Sequence, residues 1–150
     1  MGMRRAKGLD QDMLLYHSER VLDIRGYSTR FVDEESAFQY LDYIVNTVWF
    51  HNRYWEVAEW GLFIKETKQS QAYGWFNGKH QQIMLPRWAL TDFGLLHELA
   101  HICEPCDETD DRIEHHLEWR RCELALVGRF IGKEAAYCLK HAMLAYGLEV

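Results

Sequence analysis

Prolines are scarce in this 150-residue chain: only Pro86 and Pro105 occur. No Ser/Gly-rich linker appears either, so nothing marks a domain boundary, and the length suits one domain with one core over residues 1–150. No apolar run approaches the roughly 20 residues of a membrane span. Basic residues are outnumbered 17 to 23, for a formal net charge of −6. That balance removes the broad positive field on which non-specific DNA binding draws. Arg4, Arg5 and Lys7 make a small basic start, but no apolar signal core follows them, and the expected compartment is the cytoplasm. Cysteine is limited to Cys103, Cys106, Cys122 and Cys138. In a reducing compartment these read as thiols or metal ligands before disulfides. What is plentiful is apolar surface: 48% of residues are hydrophobic and 14% aromatic, enough to fold without covalent staples.

The pattern along the chain predicts an α+β fold. Residues 1–9 read as a loose terminus. Met13, Leu14, Tyr16, His17, Val21 and Ile24 suggest a first helix over 10–24, broken by Gly26. Asp33 is a good N-cap for a second helix, with Glu34 and Glu35 in its first turn, where the helix dipole favours anions. Ala37, Leu41, Ile44, Val45 and Val48 form its apolar stripe, which runs to about residue 50. Residues 61–66 read as a strand, and 71–76 and 81–85 flank Asn77-Gly78 as a hairpin. A helix begins between Arg87 and Thr91 and ends near Cys103, because Pro105 cannot continue it. Further helices are predicted over about 111–131 and 133–146. The sum is a small, mostly antiparallel sheet of three or four strands with four or five helices.

The helix before Pro105 contains His97-Glu98-Leu99-Ala100-His101. Residues four apart share a helical face, so His97 and His101 can present two imidazoles to one metal ion. Glu98 can then reach the water beside that ion and act as general acid/base. Leu95, Leu96, Leu99 and Ile102 surround the motif, which implies a buried helix, and buried histidines need partners. A catalytic zinc has three protein ligands and an open position. The third ligand is expected downstream, among His115, His116, Glu118 and the acids of the intervening loop. Steps of three and four from His115 meet Trp119, Cys122, Leu126 and Phe130, an apolar stripe that belongs inside. Steps from His116 meet Arg112, Arg120 and Glu123, a polar stripe that belongs in water. His115 is therefore the expected ligand, with Glu118 the alternative ligand or an acceptor for an imidazole N–H.

These segments resemble a minimal zincin, and more narrowly the SprT-like metallopeptidases, whose third ligand stands in His-Gly-x-x-Phe/Trp. The corresponding segment here is His115-His116-Leu117-Glu118-Trp119, with His116 in place of the glycine. The tail Gly132-Lys133-Glu134-Ala135-Ala136 through Tyr146-Gly147-Leu148 is similar to that of a small family of metallohydrolases from bacteria and phages. The resemblance implies Zn2+ held by His97, His101 and His115, with Glu98 as general acid/base.

Other residues carry alternative readings. Cys103-x-x-Cys106 suits a structural metal site, a redox pair or plain thiols. Tyr73 and Trp75 can border a cleft, while most tryptophans belong in the core. His51 reads as a surface loop. Tyr146, His141 and Arg87 are the conceivable oxyanion stabilisers. A peptide or protein substrate is expected, since a strand edge beside the motif helix can pair with an extended chain. The alternatives are a catalytically silent zinc-stabilised binding module and a nucleic-acid-associated protease.

Overall fold

The computed structural model describes residues 2–59, 61–70, 72–76, 81–105 and 115–150, with backbone alone for 2–10, 73–76 and 81. The chain forms two compact units, Thr29–Pro105 and Met1–Ser28 with Cys106–Val150. Among the described residues the elements are α1 (Gly2–Ile24), α2 (Glu34–Val45), α3 (Val48–Glu59), β1 (Leu62–Thr67), β2 (Tyr73–Phe76), β3 (Gln81–Pro86), a 3-10 turn (Arg87–Ala89), α4 (Asp92–Cys103), α5 (Leu117–Phe130) and α6 (Lys133–Ala145). The α+β expectation holds, with six α-helices where four or five were expected.

In the unit Thr29–Pro105, Asp33 caps α2 by accepting the Ser36 N–H at 2.8 Å. Ala37, Leu41 and Ile44 are buried as their spacing predicts. The single helix expected to residue 50 is two helices, and Val48 is exposed. Thr47 Oγ1 accepts the Phe50 N–H at 3.2 Å and starts α3, which carries His51 on its exposed surface rather than in a loop.

The sheet has the order β1-β3-β2. β2 and β3 pair antiparallel from Tyr73↔Met84 to Phe76↔Gln81, as the expected hairpin requires. Its turn, Asn77-Gly78, lies outside the described residues. β1 pairs with β3 in parallel, Leu62↔Gln81 through Thr67↔Pro86. The sheet is therefore mixed, not mostly antiparallel. The reason lies in burial. Ile83 and Leu85 of β3 have no exposed surface, and a strand that buries its side chains this fully suits the centre of the sheet, paired on both edges. On β1, Leu62 and Ile64 are buried while Phe63 is exposed, the period-two pattern of a strand with one covered face. α2 packs against β1, and α4 packs against β2 and β3.

The start of α4 is held firmly. The Phe31 N–H donates to the Leu90 carbonyl and the Asp92 N–H to the Thr29 carbonyl, both at 2.9 Å. Thr91 Oγ1 accepts the Gly94 N–H at 2.9 Å as N-cap. Gly94 is required there, because a Cβ would collide with the Ala89 carbonyl oxygen. The helix ends at Cys103, one residue short of the Glu104-Pro105 step.

In the other unit, α6 packs against both α1 and α5. The backbone of α1 is helical from Gly2, so the loose terminus expected over 1–9 is not found. Its inward face also differs from the expected one. Leu15, Ser18, Glu19 and Leu22 are buried, whereas Met13, Tyr16 and Ile24 are exposed. The first four residues of the helix expected at 111–131 fall outside the described residues, and α5 begins only at Leu117. Gly132 lies at φ 150° between α5 and α6, a backbone conformation open to glycine. No described helix is long and apolar enough to cross a membrane.

Candidate metal centre

α4 is apolar on most sides: Leu95, Leu96, Leu99, Ala100 and Ile102 are all buried. Within that setting His97 and His101 sit one helical turn apart. Their ring centroids are 5.2 Å apart at an interplanar angle of 69°. Two imidazoles that share one tetrahedral ion at the usual zinc–nitrogen distance bring their ring centres to about 5 Å of each other. The spacing of the pair, both in the unit Thr29–Pro105, is compatible with a shared metal ion. Phe93 supports the first ring in an edge contact at 6.2 Å. Glu98, between the two histidines in sequence, is also buried, with Oε1 3.8 Å from His97 Nε2. That separation is beyond hydrogen-bond length.

His115 lies in the turn before α5 and is only 4% exposed. Its Nδ1 is 2.8 Å from Asp12 Oδ1 on α1. Its ring meets Trp119 edge-on at 4.7 Å and Tyr16 at 5.8 Å. Its carbonyl accepts a 2.8 Å hydrogen bond from Arg120 Nη1, while Arg120 Nε donates to the Glu149 carbonyl at 2.8 Å. Burial pushes the Arg120 guanidinium below its ordinary value, with Glu149 and Glu118 acting against that shift. His97 and His101 belong to the unit Thr29–Pro105, and His115 belongs to the other unit.

The polar stripe expected to face water does not. His116, Arg120 and Glu123 are all buried; Arg112 is outside the described residues. His116 is the N-cap of α5, not a residue within it. Its Nδ1 accepts the Trp119 N–H at 3.2 Å and lies 3.0 Å from Glu118 Oε2, while its Nε2 is buried without a hydrogen-bond partner among the described residues. The helix therefore starts at Leu117 and not near Asp111, and both histidines precede it. The apolar stripe itself stands, since Trp119, Cys122 and Leu126 are buried. Glu118 serves His116, with its side chain 59% exposed.

Sequence reasoning missed three acids of this unit: Asp12, Glu19 and Glu123. The available signal was helical spacing. Asp12, Leu15, Glu19 and Leu22 recur at three- and four-residue steps on α1, so two carboxylates share a stripe with two buried leucines.

The remaining candidates are scattered. Arg87 is 79% exposed and pairs with Glu66 at 3.7 Å. Tyr146 stacks on His17 at 5.9 Å, and His141 lies beside Tyr137 at 4.1 Å. Trp119 is a core residue, whereas Trp55 and Trp88 are exposed. Cys103, Cys122 and Cys138 form no disulfide. Cys106, and the side chains of Tyr73 and Trp75, lie outside what is described. Two surface hollows, of about 490 Å3 beside Glu66 and Trp88 and about 380 Å3 beside Tyr27 and Cys138, contain none of the motif residues. Comparison of the chain with models of protein families, with curated proteins and with solved structures finds no match in any of the three.

Proposed function

We propose that this chain is a zinc-dependent hydrolase of peptide or related amide bonds, acting in the cytoplasm through a minimal zincin-like arrangement. The observation that carries the proposal is the paired presentation of His97 and His101 on a buried helix, with Glu98 beside them. His115 is the third ligand in this reading, which leaves a fourth position for water or substrate. Its burial and its carboxylate partner, the arrangement common to metal-bound histidines, support that role. Zinc, when bound, polarises a carbonyl oxygen and activates a water molecule. Glu98 takes a proton from that water at a carboxylate oxygen and returns it to the departing amine, so that the peptide is cleaved and the carboxylate regenerated.

The test is metal analysis coupled to cleavage of a fluorogenic peptide library. About one zinc per chain is expected. His97→Ala, His101→Ala and His115→Ala lose it. Glu98→Gln keeps the zinc and loses turnover by about 10²- to 10⁴-fold. Stoichiometric zinc in a His97→Ala/His101→Ala double variant would sink the proposal. Zinc binding with no cleavage of any library member, and indifference to Glu98→Gln, would favour the silent binding module instead.

A further inference from the structure

We infer that Asp12 is the positioning residue for His115: it sets the tautomer and orientation of the ring and thereby makes Nε2 the ligand atom. The consequence for zinc rests on the metal site proposed above; the tautomer does not.

Asp12 lies on α1, 103 residues before His115 in the chain, and its Oδ1 is 2.8 Å from His115 Nδ1. A carboxylate only accepts hydrogen bonds, so the ring nitrogen is the donor. A neutral imidazole with its proton on Nδ1 carries its lone pair on Nε2. The other contacts restrain the same ring. Trp119 and Tyr16 meet it edge-on at 78° and 77°, which limits rotation. Arg120 fixes the carbonyl of the same residue at 2.8 Å. Asp12 shares a helical stripe with Leu15 and Leu22, which are buried, where an apolar residue would pack at less desolvation cost. Its side chain is only 26% exposed.

The experiment uses the full chain free of metal. Long-range proton–nitrogen correlation spectra read which nitrogen of His115 is protonated, and chelator competition reads zinc affinity. In the wild type the proton is expected on Nδ1. Asp12→Ala should lose that preference and weaken zinc binding about 10- to 100-fold, the usual effect of removing such a partner. Asp12→Asn keeps an acceptor oxygen and should retain both the tautomer and most of the affinity. If Asp12→Ala does not fold, the wild-type and Asp12→Asn spectra decide. An Nε2-protonated ring in the wild type overturns the inference. So does a folded Asp12→Ala protein that keeps the wild-type tautomer and binds zinc within about threefold of wild type. If the wild type shows the Nδ1 proton, lost in Asp12→Ala, yet binds no zinc, the metal reading fails and the positioning role of Asp12 stands.

Discussion

Replacing Arg120 by methionine keeps the apolar stem and removes the two donors that tie the His115 carbonyl to the Glu149 carbonyl. A hydrogen bond from a charged donor is worth about 1.5–3 kcal/mol, so the pair contributes about 3–6 kcal/mol gross. Removing the guanidinium also relieves the cost of burying it, and Arg120 is only 6% exposed. The net loss should be about 2 kcal/mol, since desolvation offsets much of a buried charge's gain. The Glu149 backbone sits at an exposed residue and water can replace the donor there. The His115 carbonyl is buried, and most of the loss falls on it. With a urea dependence of about 2 kcal/mol per molar, the unfolding midpoint should fall by about 1 M. Circular dichroism during urea titration measures this directly. Arg120→Lys can reach one carbonyl but not both, because an ammonium lacks the fork geometry, and should lose about half as much. A methionine variant with an unchanged midpoint would show that the buried guanidinium contributes nothing net, and the reasoning would fail.

Two further outcomes follow from other elements. Gly94→Ala drives a methyl group into the Ala89 carbonyl. It should cost about 1–3 kcal/mol, read as a fall in Tm in a thermal melt; an unaltered Tm would mean that the 3-10 turn yields freely. Tyr40 bears on alkaline pH. Burial, with smaller contributions from Asp92 and Tyr43, pushes its hydroxyl well above the ordinary value. A raised folded value means the stabilisation is full below the unfolded value near 10 and is lost as pH rises beyond it, since the unfolded chain then ionises first. Tyr40→Phe should therefore flatten the loss of stability above about pH 10, measured as urea midpoints on either side. Equal slopes in the two proteins would refute the assignment.

The parts of the fold that were legible share a property: their information is local. Asp33 as a cap, Thr91 at the start of the motif helix and the stop before Pro105 each depend on one residue and the backbone within three positions of it. The period-two burial of Leu62 and Ile64 and the helical burial of Ala37, Leu41 and Ile44 are likewise written in a short window. The face of α1 was not legible. Its true stripe includes Ser18 and Glu19, and a search for apolar residues alone settles on Met13, Tyr16 and Ile24, which are exposed. The break at Asn46-Thr47 escaped notice for a related reason: a hydroxyl capping the next helix looks, in sequence, like one more residue of a continuing one.

The sequence alone determined the pairing of His97 with His101 and the position of Glu98, because the 3.6-residue turn places residues four apart side by side whatever surrounds them. It also determined the antiparallel pairing of β2 with β3. Only the tertiary structure decided that β3 sits centrally with β1 parallel to it, that His116 caps a helix instead of facing water, and that His115 has Asp12 as its partner. Those outcomes depend on which distant segments compete for the same buried space. A carboxylate 103 positions away meets an imidazole only when α1 and the turn before α5 are packed into one unit, and no periodicity within either segment encodes that meeting.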